Sequence, residues 1–153
     1  MRIATWNINS VRLRLPQVLK LVEDKKIDLL CLQETKTQDE FFPSEEFNKI
    51  GMKYQYYRGE KSYNGVAILS NTEFKNTGYV EYCKKADTRN IFVKFKNDVE
   101  LHNFYVPAGG DEADVTINPK FEHKISFLNE MKENLSKDKK TKKILVGDLN
   151  IAP

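Results

Sequence analysis

The sequence offers little to a soft metal. Its 153 residues include two cysteines and two histidines, and neither His102 nor His123 has a partner at zinc-ligand spacing. A tetrahedral thiolate or imidazole centre is therefore a poor fit, and both histidines read as structural or surface groups. Cys31 and Cys83 sit in strand-like apolar surroundings, which suits reduced core or near-core thiols better than a disulfide. There is no run of about 18 apolar residues of the kind a membrane-spanning helix needs. The N-terminus passes straight into an apparent strand and lacks the charged-then-apolar layout of a secretory signal, so a cytoplasmic protein without a membrane partner is expected. No internal repeat at a fixed period is found, and the one compositionally biased stretch is Lys137–Lys143. Neither sign of charge dominates: a net charge of +3 permits an anionic partner through local patches without requiring one.

Hydrophobic residues make up 40% of the chain and charged residues 31%, the balance of a globular domain. One domain over residues 1–153 is expected, long enough to bury about two thirds of its unfolded surface if complete.

The spacing of apolar residues lays out the elements. Arg2–Ile8 alternates as a strand and ends in Asn7 and Asn9. Ser10 is a candidate cap for a helix in which Leu15, Val18, Leu19 and Val22 recur at helical spacing, with Pro16 in its first turn. Ile27–Gln33 is apolar through its middle, predicting a strand covered on both faces. Ser44–Ile50 is a short helical candidate expected outside the sheet core. Tyr54–Arg58, Val66–Ser70, Gly78–Tyr82, Ile91–Lys96 and Glu100–Val106 read as strands joined largely by hairpins. Pro119 opens the clearest helix, with Phe121, Ile125, Leu128, Met131 and Leu135 on its apolar face. Ile144, Leu145 and Val146 then form a buried strand, and Gly147 allows a close backbone approach. The class expected is α/β (α+β), a mixed, mostly antiparallel sheet with helices on one face. Because two helices cover only one face, the other is expected to need a layer from outside the chain.

The strand ends carry the chemistry. Asn7, Glu34, Tyr105, Asp148 and Asn150 all lie where a strand finishes, and strand ends deliver side chains to a common edge. If the chain stays extended, Asp148 and Asn150 project to one side; the pair reads equally well as ordinary turn residues after a strand. A carboxylate with amide oxygens suits a hard cation, Mg²⁺ or Mn²⁺, that keeps waters for a substrate phosphate. Asp148 could then align or deprotonate a water, Asn150 orient it, and Tyr105 donate a hydrogen bond to the phosphate.

Five stretches occur in a recognisable order: Trp6–Arg12, Leu32–Lys36, Tyr63–Ala67, Phe104–Pro107 and Gly147–Pro153. Together they resemble the exodeoxyribonuclease III family of apurinic/apyrimidinic endonucleases, and the resemblance runs the length of the chain. It implies half of a four-layer α/β sandwich and a Mg²⁺-dependent (or Mn²⁺-dependent) DNA-repair phosphodiesterase. Its partner would be double-stranded DNA with abasic sites or 3′ ends. By the same resemblance Asn7 and Glu34 look like metal-site residues, with Asp148 and Asn150 close by. Tyr105 looks like a phosphate contact, Asp148 and Asn150 like the pair that activates and orients water. Arg12, Lys36, Tyr63 and Lys120 fall where DNA-backbone contacts are expected, and each reads equally as a solvated surface residue.

Members of the family continue beyond the equivalent of Pro153 with further aspartates and a Ser-Asp-His motif. The resemblance therefore implies an N-terminal half, doubtful as an enzyme alone, that would pair with a separate C-terminal half or self-associate through an uncovered sheet face. The alternatives are a non-catalytic remnant, half of a split enzyme, or a basic nucleic-acid-binding module using Lys137–Lys143. A phospholipid or inositol phosphate substrate is a further possibility against which Gln33-Glu34-Thr35-Lys36 argues.

Overall fold

A computed structural model describes residues 1–151. Ala152 and Pro153, which close the last of the five motifs, lie outside the described residues. Two four-stranded sheets pack face to face. The first has the order β1 (Ile3–Asn7), β2 (Leu29–Gln33), β4 (Tyr63–Ser70) and β3 (Tyr54–Glu60); the second runs β5 (Phe74–Gly78), β6 (Asn90–Phe95), β7 (Glu100–Tyr105) and β8 (Lys143–Asp148). Each contains one parallel pair, β1 with β2 and β7 with β8, and is otherwise antiparallel.

Period-two alternation builds the layers. On β2 and β4, Leu29, Cys31, Val66 and Ile68 face the second sheet, where Ile91, Val93, Phe95 and Leu101 meet them. Their neighbours Leu30, Leu32, Ala67 and Leu69 face outward onto Val18 and Val22 of α1 (Leu15–Lys25) and Phe47 of α2 (Ser44–Lys49). On the outer face of the second sheet, Tyr82, Phe104 and Val106 pack with Phe127 of α3 (Pro119–Ser136). The result is a helix–sheet–sheet–helix sandwich. Each sheet bears helices on one face, as expected, but its other face is covered by the chain's own second sheet, so no external layer is needed there.

Several expectations are corrected. Ser10 does not cap α1: its backbone sits at φ 89°, Arg14 occupies the N-cap position, and no side chain caps the helix. Pro16 does lie in the first turn. α2 is not outside the core, because Phe47 is fully buried and Phe42 stacks on Tyr57 with ring centroids 4.1 Å apart. The strand expected at Gly78–Tyr82 ends at Gly78; β5 occupies the stretch read as a hairpin connection, and Tyr82 begins a short 3₁₀ turn. On α3 the deeply buried residue is Phe127, with Leu128, Met131 and Leu135 at its margin. Strand β8 is not buried on both faces: Leu145 is 48% and Leu149, just beyond it, 43% exposed. It is an edge strand, and so is β1. Exposed apolar side chains are scattered, from Leu13 and Phe41 to Ile117 and Leu145, rather than gathered on one sheet face.

Candidate active site

A parallel strand pair places both C-terminal ends at one edge of its sheet, and each sheet has such a pair. In the first, Asn7 ends β1 opposite Gln33 of β2, which delivers Glu34. In the second, Tyr105 ends β7 opposite Asp148 of β8. Because β1 and β8 lie against one another across the sandwich, the two pairs deliver their terminal side chains to one place.

The Asn7 carboxamide joins them. Its Nδ2 donates to Glu34 Oε1 at 2.7 Å and to Asp148 Oδ2 at 2.8 Å, while its Oδ1 accepts from the Asn9 amide at 3.2 Å. The Lys36 ammonium donates to Glu34 Oε2 at 2.9 Å and to Asn9 Oδ1 at 2.6 Å. Burial works to raise the Glu34 pKa. Hydrogen bonds from Asn7, Lys36 and Tyr105, with the Lys36 charge, outweigh it and hold the carboxyl below its ordinary value. Burial first, then the hydrogen bond and charge of Glu34, push the Tyr105 hydroxyl up to about 12. At neutral pH it remains a donor.

Local backbone geometry holds these groups. Asn9, Ser10, Glu34 and Lys36 all adopt positive φ, conformations that cost L-residues energy and persist where the surroundings impose them. At Glu34 the imposing structure is the β3–β4 hairpin: Thr35 donates to the Gly65 carbonyl at 3.1 Å and Lys36 to the Asn64 carbonyl at 2.9 Å. A Cβ on Gly65 would lie 2.1 Å from Thr35 Oγ1. Gly147 plays the comparable part under Asp148, since a Cβ there would lie 2.0 Å from the Phe104 carbonyl oxygen.

Asp148 and Asn150 are neighbours by a different route from the extended one. The strand ends at Asp148, whose Oδ1 accepts from the Asn150 amide at 3.0 Å, and Asn150 sits at φ 49°. The pair is an Asx-type turn. Asn150 Nδ2 donates to the Val106 carbonyl at 2.7 Å, which uses one of its two N–H groups and leaves the other N–H and the carbonyl oxygen to offer a water.

A profile of the Endonuclease/Exonuclease/phosphatase family matches residues 4–153. The chain belongs to this family. Among its relatives in the family, exodeoxyribonuclease III of Haemophilus influenzae is 32% identical over 160 residues, a match covering 100% of this chain and 58% of that protein. An AP endonuclease structure from Archaeoglobus fulgidus superposes with a TM-score of 0.89 at 34% identity. A 3′ phosphatase from Neisseria, bound to a product DNA hairpin, gives 0.87 at 32%. Both structures are covered to 59% of their length by 100% of this chain.

Of the residues singled out from sequence, Asn7, Glu34, Tyr105 and Asp148 come together, with Asn150 at their margin. Lys36 reaches Glu34. Tyr63 and Lys120 line a cleft of about 270 Å³ that opens beside Tyr105. Arg12 is exposed in the turn before α1 and, among the described residues, makes no hydrogen bond to the site. His102 is a structural group, stacked on Phe92 and Phe104 and hydrogen-bonded to Glu100. His123 is better placed than expected: it lines the cleft, with Nε2 4.0 Å from Asp87.

Two residues of the site were missed. The Arg89 side chain is 8% exposed; it donates to Asp87 at 2.6 Å and holds its guanidinium 4.9 Å from the centre of the Tyr105 ring. Its sequence signal was an isolated arginine directly before an apolar strand. Lys124 donates to the Ala108 carbonyl at 3.2 Å and also to that of Asn150. It carries no signal apart from its place on a helix.

No group of three or more histidine, cysteine or acidic side chains arranged to hold a metal ion is present among the described residues. The oxygens at this centre are those of two carboxylates, toward which the Asn7 carboxamide turns its nitrogen while its Oδ1 faces the Asn9 amide. They fit a hard cation that binds few protein groups and retains water, and do not fit zinc.

Proposed function

We propose that the chain carries the metal and water-activating groups of a divalent-cation-dependent DNA phosphodiesterase acting at abasic sites or 3′ ends. The observation that carries this reading is the Asn7 carboxamide bridging Glu34 of one sheet to Asp148 of the other. Mg²⁺ or Mn²⁺ would be held by Glu34, where Lys36 now neutralises the carboxylate, with Asn7 turning its Oδ1 toward it in place of the Nδ2 that now donates to Glu34, and would supply charge stabilisation at a phosphoryl oxygen. Asp148, steered by Asn7 and by the Asn150 backbone amide, takes the proton of a water as that water attacks phosphorus. The P–O bond to the sugar oxygen then breaks, and that oxygen leaves with the electron pair and takes a proton from solvent. Asn150 orients the water through its carboxamide, and the protonated Tyr105 donates to the phosphate. Arg89, Lys120 and Tyr63, around the adjoining cleft, suit neighbouring backbone phosphates.

The match covers 58% of the Haemophilus enzyme, and the resemblance assigns an acid–base histidine to the remainder. Neither histidine of this chain contacts Asp148 among the described hydrogen bonds. The chain alone is therefore expected to cut poorly, and the unpaired edges of β1 and β8 are where a complementing segment would add. The test uses a duplex with one synthetic abasic site, Mg²⁺, and the C-terminal portion of a family member supplied separately. Cleavage on mixing that Asp148→Asn abolishes supports the proposal. Cleavage that survives Asp148→Asn overturns it.

A further inference from the structure

The seam between the two sheets is apolar along most of its length, with Leu29, Cys31 and Ile68 against Ile91, Val93 and Leu101. Directly beneath the site it is not. There Gln33 and Asn103, 1% and 0% exposed, meet across the seam. Gln33 Nε2 donates to Asn103 Oδ1 at 2.6 Å and to Thr5 Oγ1 at 3.0 Å. Asn103 Nδ2 reaches into the first sheet and donates to the carbonyls of Leu32 at 2.9 Å and Ala67 at 3.0 Å.

The position of this pair in the chain gives it leverage. Gln33 immediately precedes Glu34 and lies opposite Asn7 in the parallel register of β1 and β2. Asn103 is two residues before Tyr105 and opposite Val146, two residues before Asp148. The site above is joined across the same seam by the hydrogen bond from Asn7 to Asp148. Apolar contact is non-directional, so Leu against Val leaves the offset between two sheets loosely determined. A buried amide pair is satisfied in one placement, and an error in that placement leaves desolvated donors and acceptors unpaired.

We propose that Gln33 and Asn103 are positioning residues that set the offset between the two sheets and so hold Asn7 and Glu34 in register with Tyr105 and Asp148. The proposal rests on reading those four residues as one site.

The experiment uses the 153-residue chain, ¹⁵N-labelled, and needs no catalysis. Its readout is hydrogen exchange of the Asn7 side-chain amide, assigned by its loss in Asn7→Ser, with exposed Asn129 as the internal reference. In the parent, the Asn7 amide is expected to exchange much more slowly than that of Asn129. The double replacement Gln33→Leu with Asn103→Leu removes both amides together, deprives the Leu32 and Ala67 carbonyls of the Asn103 donor, and is expected to melt cooperatively at a lower temperature. In it, Asn7 exchange is expected to accelerate at least about tenfold, because the amide loses its carboxylate across the seam. Asn103→Thr is the milder variant: one hydroxyl cannot serve both carbonyls and Gln33. It is expected to move Asn7 the same way by a smaller factor, and it keeps the test usable if the double variant unfolds. Folded variants with parental Asn7 exchange overturn the proposal. An Asn7 amide as fast as Asn129 in the parent contradicts the joined site itself, and the proposal falls with it.

Discussion

Replacing Gly147 by alanine perturbs Asp148 through a single methyl group. Gly147 pairs with Phe104 in the β7–β8 ladder at φ +136°, and a Cβ there would lie 2.0 Å from the Phe104 carbonyl oxygen and 2.7 Å from its nitrogen. Contacts below 3.0 Å are essentially never seen for real Cβ atoms, and both obstructing atoms are backbone, so β8 must move by at least 3.0 − 2.0 = 1.0 Å there. The Asn7–Asp148 hydrogen bond is 2.8 Å, and a shift of about 1 Å is enough to break it. Overpacking costs typically about 1–3 kcal/mol, and a backbone conformation reserved for glycine adds about 1–3 kcal/mol. For a chain of this length each kcal/mol moves the melting temperature by about 2–4 °C, so a fall of about 5–20 °C is expected by circular dichroism. Gly51→Ala is the control: its φ is +88° but nothing lies within 4 Å of the added methyl. It shares the conformational cost without the clash. If Gly147→Ala melts within a degree or two of Gly51→Ala, β8 has room that the packing denies.

Glu34→Gln removes a carboxylate from the centre and is expected to weaken Mn²⁺ binding by at least about tenfold in a calorimetric titration; unchanged affinity would move the cation elsewhere. In a competent, reconstituted enzyme, Asp148→Ala and Asn150→Ala should each cost several orders of magnitude in turnover. The double change should cost little more than the worse single one, because both serve one step; near-additive losses would separate their roles. His102 has its pKa lowered chiefly by burial, only partly offset by Glu100. A depressed folded pKa means stability that is present above the unfolded value near 6.5 and is lost as pH falls through the folded value. His102→Phe should therefore flatten the acid side of a stability–pH curve below about pH 6.5, and an unaltered slope would show that His102 does not titrate on unfolding. If Lys137–Lys143 dominated DNA binding, affinity would fall steeply with salt and show no preference for the lesion; a preference for abasic over intact duplex that persists as salt rises is expected instead.

Sequence pattern made β2 legible because all five of its residues are buried, so an unbroken apolar run and full burial coincide. The same inference failed at β8, whose run is as apolar, because composition cannot distinguish a central strand from an edge. Phe127 escaped because α3 is gripped off the centre of its apolar stripe by Tyr82 and Phe104. The four central site residues were readable because parallel pairing carries strand ends to a common place whatever lies between them. Asn150 lies beside Asp148 by a geometry other than the extended one: the positive-φ turn after Asp148 is set by hydrogen bonds to Asp148 and Val106. Arg89 was invisible as a site residue because the site group it meets, Tyr105, is 16 residues away, and the Gln33–Asn103 pair because its members are 70 residues apart.

The most direct test of a single cation-holding centre at the junction of the two sheets is Mn²⁺ titration of the ¹⁵N-labelled chain, following paramagnetic broadening of its amide resonances. The expected result is that residues 7–9, 34–36 and 148–150 broaden together at the lowest metal concentration, while Lys139–Lys143 at the opposite end of β8 stay sharp, and that Glu34→Gln removes the effect. Broadening that begins elsewhere, or that persists at this centre in Glu34→Gln, would contradict it.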